Sequence, residues 1–212
     1  MTKKPTILFD FDGVIANTEP LYDVYIDGLG VKYNLGINNL AEKVKGVPTV
    51  EIIAKYFGHL DAKLIQEVED NLADFEITMD IPPITGALEF IHYLKQNGYK
   101  IGLVTSSQLV KMERALKILK LENSFDSLVT ADRITKGKPD PMCFLLAAKD
   151  MDASPENCIV FEDSLHGINA GLSAKMKVIG LTTSFTEEQI KDMVYATIPD
   201  FSNLEQVISL IK

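Results

Sequence analysis

Short apolar segments alternate with helical segments from residue 84 onward, and this alternation constrains the fold more than any other feature of the sequence. Together with one segment near the start of the chain, the apolar runs are Thr6–Phe11, Lys100–Thr105, Ser127–Thr130, Cys158–Phe161 and Lys177–Leu181. Runs of this length and composition are typical of strands that are buried on both faces of a parallel sheet. Apolar side chains at helical spacing separate the runs, for example Leu109, Met112, Ala115, Leu116 and Leu119. The sequence therefore predicts an α/β fold with a doubly wound, mostly parallel Rossmann-like sheet.

Residues 17–84 break this alternation, because they contain helical patterns and no apolar run that resembles a buried strand. Pro20 predicts the start of one helix, Thr49 the N-cap of another, and Leu64–Phe75 have the spacing of a long amphipathic helix. Pro82 and Pro83 then end the helical pattern and indicate a hinge or linker. The predicted domains are an α/β core of residues 1–16 and 85–212 and an inserted helical domain of residues 17–84, with hinges near residues 16–18 and 81–85.

The charge balance limits the kinds of partner. The chain of 212 residues has a formal net charge of −9, whereas nucleic acids and anionic membranes are bound by clustered Lys and Arg. The apolar runs are too short to span a bilayer, and the first of them is too short for a signal peptide. Cys143 and Cys158 have no His or Cys cluster around them and are interpreted as buried thiols. We therefore expect a cytoplasmic protein that binds no nucleic acid or membrane and is a monomer or a weak homo-oligomer.

Polar side chains follow four of the predicted strands at the point where each strand or its loop ends. The four clusters are Asp10 with Asp12 and Gly13, Thr105-Ser106-Ser107, Lys138 in a proline-rich loop, and Glu162-Asp163-Ser164. Alternation along a strand sends Asp10 and Asp12 to the same side, and the carboxyl end of a parallel sheet is where ligands bind. Each cluster alone also fits an ordinary turn or helix cap. Together they place carboxylates, hydroxyls and an ammonium at one crevice.

The charge of this crevice points to a cation. Asp10, Asp12, Glu162 and Asp163 would bring four negative charges against the single positive charge of Lys138. Carboxylates without His or Cys favour a hard cation with oxygen ligands, and Mg²⁺ is the first candidate. A divalent cation beside Lys138 would also allow a carboxylate to approach a phosphate dianion, while Thr105 and the backbone amides that follow it hold its oxygens. The sequence thus favours phosphoryl transfer.

The same residues resemble the four ordered motifs of the haloacid dehalogenase (HAD) superfamily. The resemblance covers essentially the whole chain, since residues 17–84 are similar to the helical cap of this family. It is closest to the subgroup of β-phosphoglucomutase and small sugar-phosphate phosphatases, and the segments that carry this are Asp12-Gly13-Val14-Ile15, Asn17-Thr18-Glu19-Pro20 and Gly137-Lys138-Pro139-Asp140-Pro141.

The resemblance implies a role for each residue. Asp10 would be the nucleophile that forms an aspartyl-phosphate, and Asp12 the general acid and base. The Mg²⁺ ion would be held by Asp10, the backbone carbonyl of Asp12 and Asp163, with Glu162 acting through water. The phosphoryl group would be bound by Thr105, Ser106 and Lys138. Asp12 makes dehalogenation improbable, because the dehalogenases of the family lack this second Asp.

The cap residues bear on which acceptor takes the phosphoryl group, water or a sugar hydroxyl. The resemblance places Tyr22, Lys45 and Gly46 at the substrate, with Tyr22 and Thr49 where the mutases carry a His and an Arg. Thr cannot supply the bidentate grip of Arg on a second phosphate, although Lys45 is a partial substitute.

We therefore expect a Mg²⁺-dependent phosphatase for a small, sugar-like phosphate. A β-phosphoglucomutase-like mutase is the first alternative and a non-catalytic phospholigand-binding module is the second. The second alternative is disfavoured because such a module would have no need of both Asp10 and Asp12.

Overall fold

The computed structural model describes residues 4–44, 47 and 49–212. A parallel sheet of six strands forms its framework, in the order β3-β2-β1-β4-β5-β6. The strands are β1 (Thr6–Phe9), β2 (Ile101–Val104), β3 (Ser127–Val129), β4 (Cys158–Glu162), β5 (Lys177–Leu181) and β6 (Ala196–Ile198). The first strand is central and pairs with β2 and β4, with Ile7 opposite both Ile101 and Ile159. The predicted α/β class and doubly wound sheet are confirmed.

Ten α-helices accompany the strands in the described part of the chain. They are α1 (Glu19–Lys32), α2 (Leu40–Val44), α3 (Thr49–Ile52), α4 (Ala62–Thr78), α5 (Ala87–Gln96), α6 (Leu109–Leu119), α7 (Met142–Asp150), α8 (Leu165–Ser173), α9 (Glu187–Ile190) and α10 (Leu204–Leu210). A π-helical segment, Ile53–Phe57, continues directly from α3. Among these helices none combines the length and the apolar content that a crossing of the bilayer would need.

Both faces of the sheet are buried, as its apolar strands require. On one face the ring of Phe9 stacks on Phe161 with 5.1 Å between centroids, and Phe90 and Phe201 pack around this pair. On the other face a second cluster includes Leu8, Val104, Val129, Phe144 and Val160. Because successive side chains of β1 enter opposite clusters, this strand is fixed in position from both sides.

The chain divides into two compact units. One consists of Met1–Asn17 and Ile81–Lys212, and the other of Thr18–Asp80. The second unit is helical and has its own apolar core, which includes Leu29, Leu40, Phe57 and Val68.

Two segments of the first unit lie side by side, one just before the helical unit and one just after it. The amide of Asn17 donates to the carbonyl of Pro82 at 2.7 Å, and the amide of Ile84 donates to the carbonyl of Ile15 at 2.8 Å. Between these bonds, Ala16 and Pro83 form an antiparallel bridge. The helical unit is therefore an insertion between two adjacent points of the core.

Candidate active site

Asp10 and Asp12 lie at the carboxyl end of the central strand. The amide of Asp10 donates to the carbonyl of Phe161 at 3.0 Å, which extends the pairing of β1 with β4 beyond Phe9. The side chain of Asp10 is 12% exposed and that of Asp12 is 22% exposed. This end of β1 therefore carries two carboxylates that are largely withdrawn from solvent.

Lys138 joins Asp10 to the neighbouring strand. Its Nζ lies 2.9 Å from Oδ1 of Asp10 and 2.6 Å from Oε1 of Glu162, and its side chain is 6% exposed. The loop before α7 thus places one buried ammonium between the carboxylates that follow β1 and end β4. The sequence prediction that Lys138 meets these acidic residues agrees with this arrangement.

Glu162 is completely buried and has donors at both of its oxygens. Its Oε2 accepts bonds from the amides of Asp163 and Ser164, at 2.8 Å each, and from Oγ of Ser164 at 3.0 Å. Gly167 lies against the same carboxylate, since a Cβ atom at this position would be 1.6 Å from Oε1. These contacts fit a residue that orients Lys138 and the start of α8.

Asp163 is held by the loop that follows β5. Ser184 donates a hydrogen bond from Oγ to Oδ2 of Asp163, and Thr183 donates from Oγ1 to the carbonyl of Gly13 at 2.7 Å. Gly13 has a φ of +74°, and a Cβ atom here would lie 1.9 Å from Oδ2 of Asp163. Gly13 is therefore required both by its backbone conformation and by the approach of Asp163. The sequence analysis did not anticipate Thr183 or Ser184.

Asp10, Glu162 and Asp163 form a cluster that could hold a metal ion. Each contributes one carboxylate oxygen, and these oxygens lie within 4.8 Å of one another. The set contains oxygen donors of the kind that Mg²⁺ prefers, and the missing Cβ of Gly13 leaves the space that Asp163 occupies. The residues therefore fit such a cation.

The surroundings of the site keep Lys138 charged but oppose ionisation of the Asp10 carboxyl. Burial raises the pKa of Asp10 to about 8, against the opposing effect of Lys138. Burial lowers the pKa of Lys138, but the carboxylates of Asp10 and Glu162 outweigh it and leave this pKa above its usual value. A cation beside Asp10 would favour the ionised carboxylate, which is the form that can attack a phosphorus atom.

The segment after β2 places hydroxyl groups beside these carboxylates. Thr105 is 2% exposed, and its Oγ1 accepts the amide of Ser107 at 3.0 Å. Ser106 is exposed, whereas Oγ of Ser107 donates to Oδ2 of Asp12 at 3.0 Å. The hydroxyls precede α6 without capping it, because the amide of Leu109 is bonded by Oδ2 of Asp132.

Lys111 is a second buried cation in the site, and the sequence analysis missed it. Its side chain is 1% exposed, and its Nζ lies 2.8 Å from both Oδ1 and Oδ2 of Asp12. The helical period of α6 pointed to Leu109 as part of the buried face, but Leu109 is 40% exposed and Lys111 is buried in the same turn. The spacing of Lys111 four residues before Ala115 and eight before Leu119 was the available signal.

Of the three predicted cap residues, Tyr22 is described, and it lies in the helical unit. The Tyr22 hydroxyl donates to Oε1 of Glu76 at 3.1 Å, and its ring packs edge-on against Phe75, so it is engaged within that unit. Lys45 and Gly46 lie outside the described residues.

The sheet, with an acidic, lysine-containing site at its carboxyl edge, defines a class of α/β enzyme that transfers phosphoryl groups. Residues 7–181 match the family described as haloacid dehalogenase-like hydrolase, and the chain belongs to this family.

The chain resembles enzymes with more than one activity in this family. It is 30% identical to a phosphorylated carbohydrates phosphatase of Thermotoga maritima over 97% of each chain. It is 29% identical to the β-phosphoglucomutase of Bacillus subtilis over 82% of each chain. A HAD hydrolase of Entamoeba histolytica has the same fold, with a TM-score of 0.83, 23% identity and coverage of 98% of this chain and 99% of that one. The predicted family and the phosphatase class of enzyme are confirmed.

Proposed function

We propose that the protein is a Mg²⁺-dependent phosphatase for small sugar-like phosphates and that it acts through an aspartyl-phosphate on Asp10. The observation that carries the proposal is that Lys138 forms ion pairs with both Asp10 and Glu162. Asp163 lies in the same acidic cluster, and Asp12 follows Asp10 by two residues. This grouping offers a nucleophile, a cation site and an ammonium for phosphoryl oxygens. The similarity to a phosphorylated carbohydrates phosphatase over nearly the whole chain supports the class of substrate.

In the proposed reaction, Thr105, Ser106 and Lys138 bind the phosphoryl oxygens and align phosphorus with Asp10. An oxygen of Asp10 forms a bond to phosphorus as the bond to the leaving oxygen breaks, and Asp12 gives that oxygen a proton. Asp12 then takes a proton from water, whose oxygen attacks phosphorus and releases inorganic phosphate, restoring the Asp10 carboxylate. A Mg²⁺ ion held by Asp10, Asp163 and the backbone carbonyl of Asp12 would neutralise charge on the phosphoryl oxygens.

Glu162 is assigned here to the orientation of Lys138, because donors already surround both of its carboxylate oxygens. A contact of Glu162 with the cation through water remains compatible with its place in the acidic cluster. The cytoplasm remains the proposed compartment and a phosphorylated metabolite the proposed partner.

A screen for phosphate release tests the activity. Purified protein with Mg²⁺ is incubated with sugar phosphates, nucleotides and small acid phosphates, in parallel with Asp10→Asn and with Glu188→Gln as an exposed control. We expect release from at least one sugar phosphate by the unchanged protein and the control, and none by Asp10→Asn. Acid quenching should trap a hydroxylamine-sensitive acyl-phosphate in the unchanged protein and in Glu188→Gln, but not in Asp10→Asn. A folded protein that releases no phosphate from any compound would refute the proposal.

A phosphosugar mutase is the second candidate, favoured by the resemblance to the Bacillus subtilis enzyme. It predicts conversion of β-glucose 1-phosphate to glucose 6-phosphate that requires a bisphosphate primer. Release of phosphate without any primed isomerisation would exclude it. A non-catalytic module predicts binding of phosphate compounds without an acyl-phosphate, so the trapping experiment separates it from both enzymes.

A further inference from the structure

Lys111 is a buried lysine whose ammonium points at the proposed general acid and base. Its Nζ lies 2.8 Å from each carboxylate oxygen of Asp12 and 2.9 Å from Oγ of Ser107, and 5.9 Å from the centroid of the Phe11 ring. The side chain is 1% exposed, whereas that of Asp12 is 22% exposed. The lysine thus approaches Asp12 from the protein side and leaves part of the carboxylate open to solvent.

The contacts restrict rotation of the Asp12 carboxylate. An ammonium at the same distance from both oxygens lies near the bisector of the carboxylate, and Ser107 adds a bond to Oδ2 at 3.0 Å. Two donors that also contact each other, at 2.9 Å between Nζ of Lys111 and Oγ of Ser107, restrict the side-chain torsions of Asp12 more than one would. Burying a charged lysine costs free energy unless an opposite charge pairs with it. The folded protein therefore keeps Lys111 and Asp12 in contact.

The same network reaches the phosphate-binding segment. Ser107 contacts both Lys111 and Asp12, and its amide donates to Oγ1 of Thr105 at 3.0 Å. Lys111 and Ser107 therefore connect the Asp12 carboxylate to the Thr105 hydroxyl, which is proposed to bind the phosphoryl group. Proton transfer to a leaving oxygen requires such a fixed geometry, because the acid must lie within hydrogen-bond reach of that oxygen.

We propose that Lys111 is a positioning residue, which holds the Asp12 carboxylate where it can exchange a proton with the leaving group. The proposal rests on the proposed function, in which Asp12 is the general acid. It differs from a purely structural ion pair in one respect. Loss of Lys111 should lower kcat/KM most for substrates whose leaving oxygen most needs a proton.

Two aryl phosphates of nearly equal shape measure that need. Phenyl phosphate loses a strongly basic phenolate, whereas 4-nitrophenyl phosphate loses a weakly basic one that requires little help from an acid. The ratio kcat/KM is compared because it covers the steps up to departure of the leaving group. We expect Lys111→Met to lower kcat/KM for phenyl phosphate about tenfold or more and that for 4-nitrophenyl phosphate less than about threefold. Lys117→Met, at an exposed position of the same helix, should change neither value. Equal losses on both substrates would overturn the proposal.

A double-mutant cycle tests whether Lys111 acts through Asp12 and also covers poor folding of the single variant. Asp12→Asn is compared with Asp12→Asn/Lys111→Met on 4-nitrophenyl phosphate, with thermal unfolding as the check on folding. If Lys111 acts through Asp12, the two variants have the same kcat/KM; a further loss in the double variant overturns the proposal. If Asp12→Asn keeps the leaving-group dependence of the unchanged protein, the proposed role of Asp12 fails. If Asp12→Asn steepens that dependence and Lys111→Met does not, the proposed function stands and the inference about Lys111 fails.

Discussion

Single hydroxyl groups and single glycines fix the acidic side chains of the site. Asp163 receives a hydrogen bond from Ser184, and the absence of a Cβ at Gly13 lets it approach the turn after β1. Residues that bind a metal ion usually need such partners to hold their orientation. The geometry of the proposed cation site thus depends on residues that need not touch the cation.

Ser184→Ala should weaken the binding of Mg²⁺ about tenfold, because Oδ2 of Asp163 would lose a donor that orients it. Isothermal titration with Mg²⁺ measures the dissociation constant without any substrate. Ser173→Ala, at the exposed end of α8, is the matched control and should bind Mg²⁺ as the unchanged protein does. An unchanged dissociation constant in Ser184→Ala would show that Asp163 needs no such support.

The sequence indicates the acidic residues of the site more readily than the groups that hold them. Asp10, Asp12 and Asp163 follow strand patterns, so topology alone brings them to one edge of the sheet. Lys111 and Ser184 lie in a helix and a loop, where lysine and serine are ordinary surface residues. Their contacts depend on packing distances between segments far apart in the chain, and a sequence pattern does not specify such distances.

At the scale of elements, the end of β4 and the start of α8 are joined by one hydrogen-bonded turn. The Glu162 carboxylate occupies the space beside Gly167, and Ser164 caps the helix by accepting the amide of Gly167 at 3.0 Å. The strand end, the helix start and Lys138 therefore share a single buried carboxylate.

Gly167→Ala should destabilise the protein by about 2 kcal/mol, because the new methyl group would overlap Oε1 of Glu162. It should also lower phosphatase activity, since Glu162 holds Lys138. Gly28→Ala in α1 is the control: no atom lies within 4 Å of its Cβ position, so stability should stay equal or rise slightly. Urea unfolding gives both free energies. Equal stability of the two variants would contradict the expected overlap.

A second network joins β3 to α7 and gives stability a dependence on pH. Arg133 donates from Nη1 and Nη2 to the two oxygens of Asp150, at 2.8 and 3.2 Å, and Ser127 donates to Oδ2 at 2.7 Å. The hydrogen bonds from Arg133 hold the pKa of Asp150 below its ordinary value of 3.8. A lowered pKa contributes stability above pH 3.8, which is lost as pH falls through the folded-state pKa.

Asp150→Asn should therefore lower stability at neutral pH by about 1 kcal/mol, a small value because Arg133 is partly exposed. The difference from the unchanged protein should shrink progressively below about pH 4. Thermal unfolding at pH 7 and pH 3 measures it, with the exposed Asp192→Asn as control. A difference that is the same at both pH values would rule out the charge of Asp150 as its cause.

Five of the six strands are predictable from their apolar runs, and the sixth is not. The run before Asp10 and the run Lys177–Leu181 are continuous and buried, so their composition identifies them. β6 has three residues, of which Ala196 and Thr197 are only partly buried. β3 is an equally short edge strand but buries two of its three residues, whereas β6 buries only Ile198, so little in its composition marks it as a strand. Its pairing with β5 is visible only in the structure.

At the scale of the whole molecule, the helical unit is inserted between two adjacent segments of the core. The bonds between Asn17 and Pro82 and between Ile15 and Ile84 bring those segments together. The sequence places hinges near residues 16–18 and 81–85, and the two compact units divide after Asn17 and after Asp80. The predicted domain bounds and hinges rest on the prolines and on the end of the helical pattern, and the hinges stay a prediction. The helical unit is the proposed cap.

We expect the cap to close over the core when the site is filled, because closure keeps water from the intermediate until an acceptor is bound. Solution X-ray scattering with Mg²⁺ and inorganic phosphate should give a smaller radius of gyration than the protein alone. Sodium sulfate at equal ionic strength without Mg²⁺ is the control. Identical curves in all three conditions would contradict a closing motion.

The register of β1 also determines when the site can assemble during synthesis. Thr6 pairs with Cys158 and Ile7 with Ile101, so the strand that carries the proposed nucleophile has partners far along the chain. During synthesis, β1 therefore leaves the ribosomal exit tunnel long before β2 and β4 have been made. Until then its apolar residues have no strand to pair with. The helical unit, Thr18–Asp80, is complete before β2 is made and can fold in this interval. The proposed catalytic centre is thus among the last parts of the nascent chain to form.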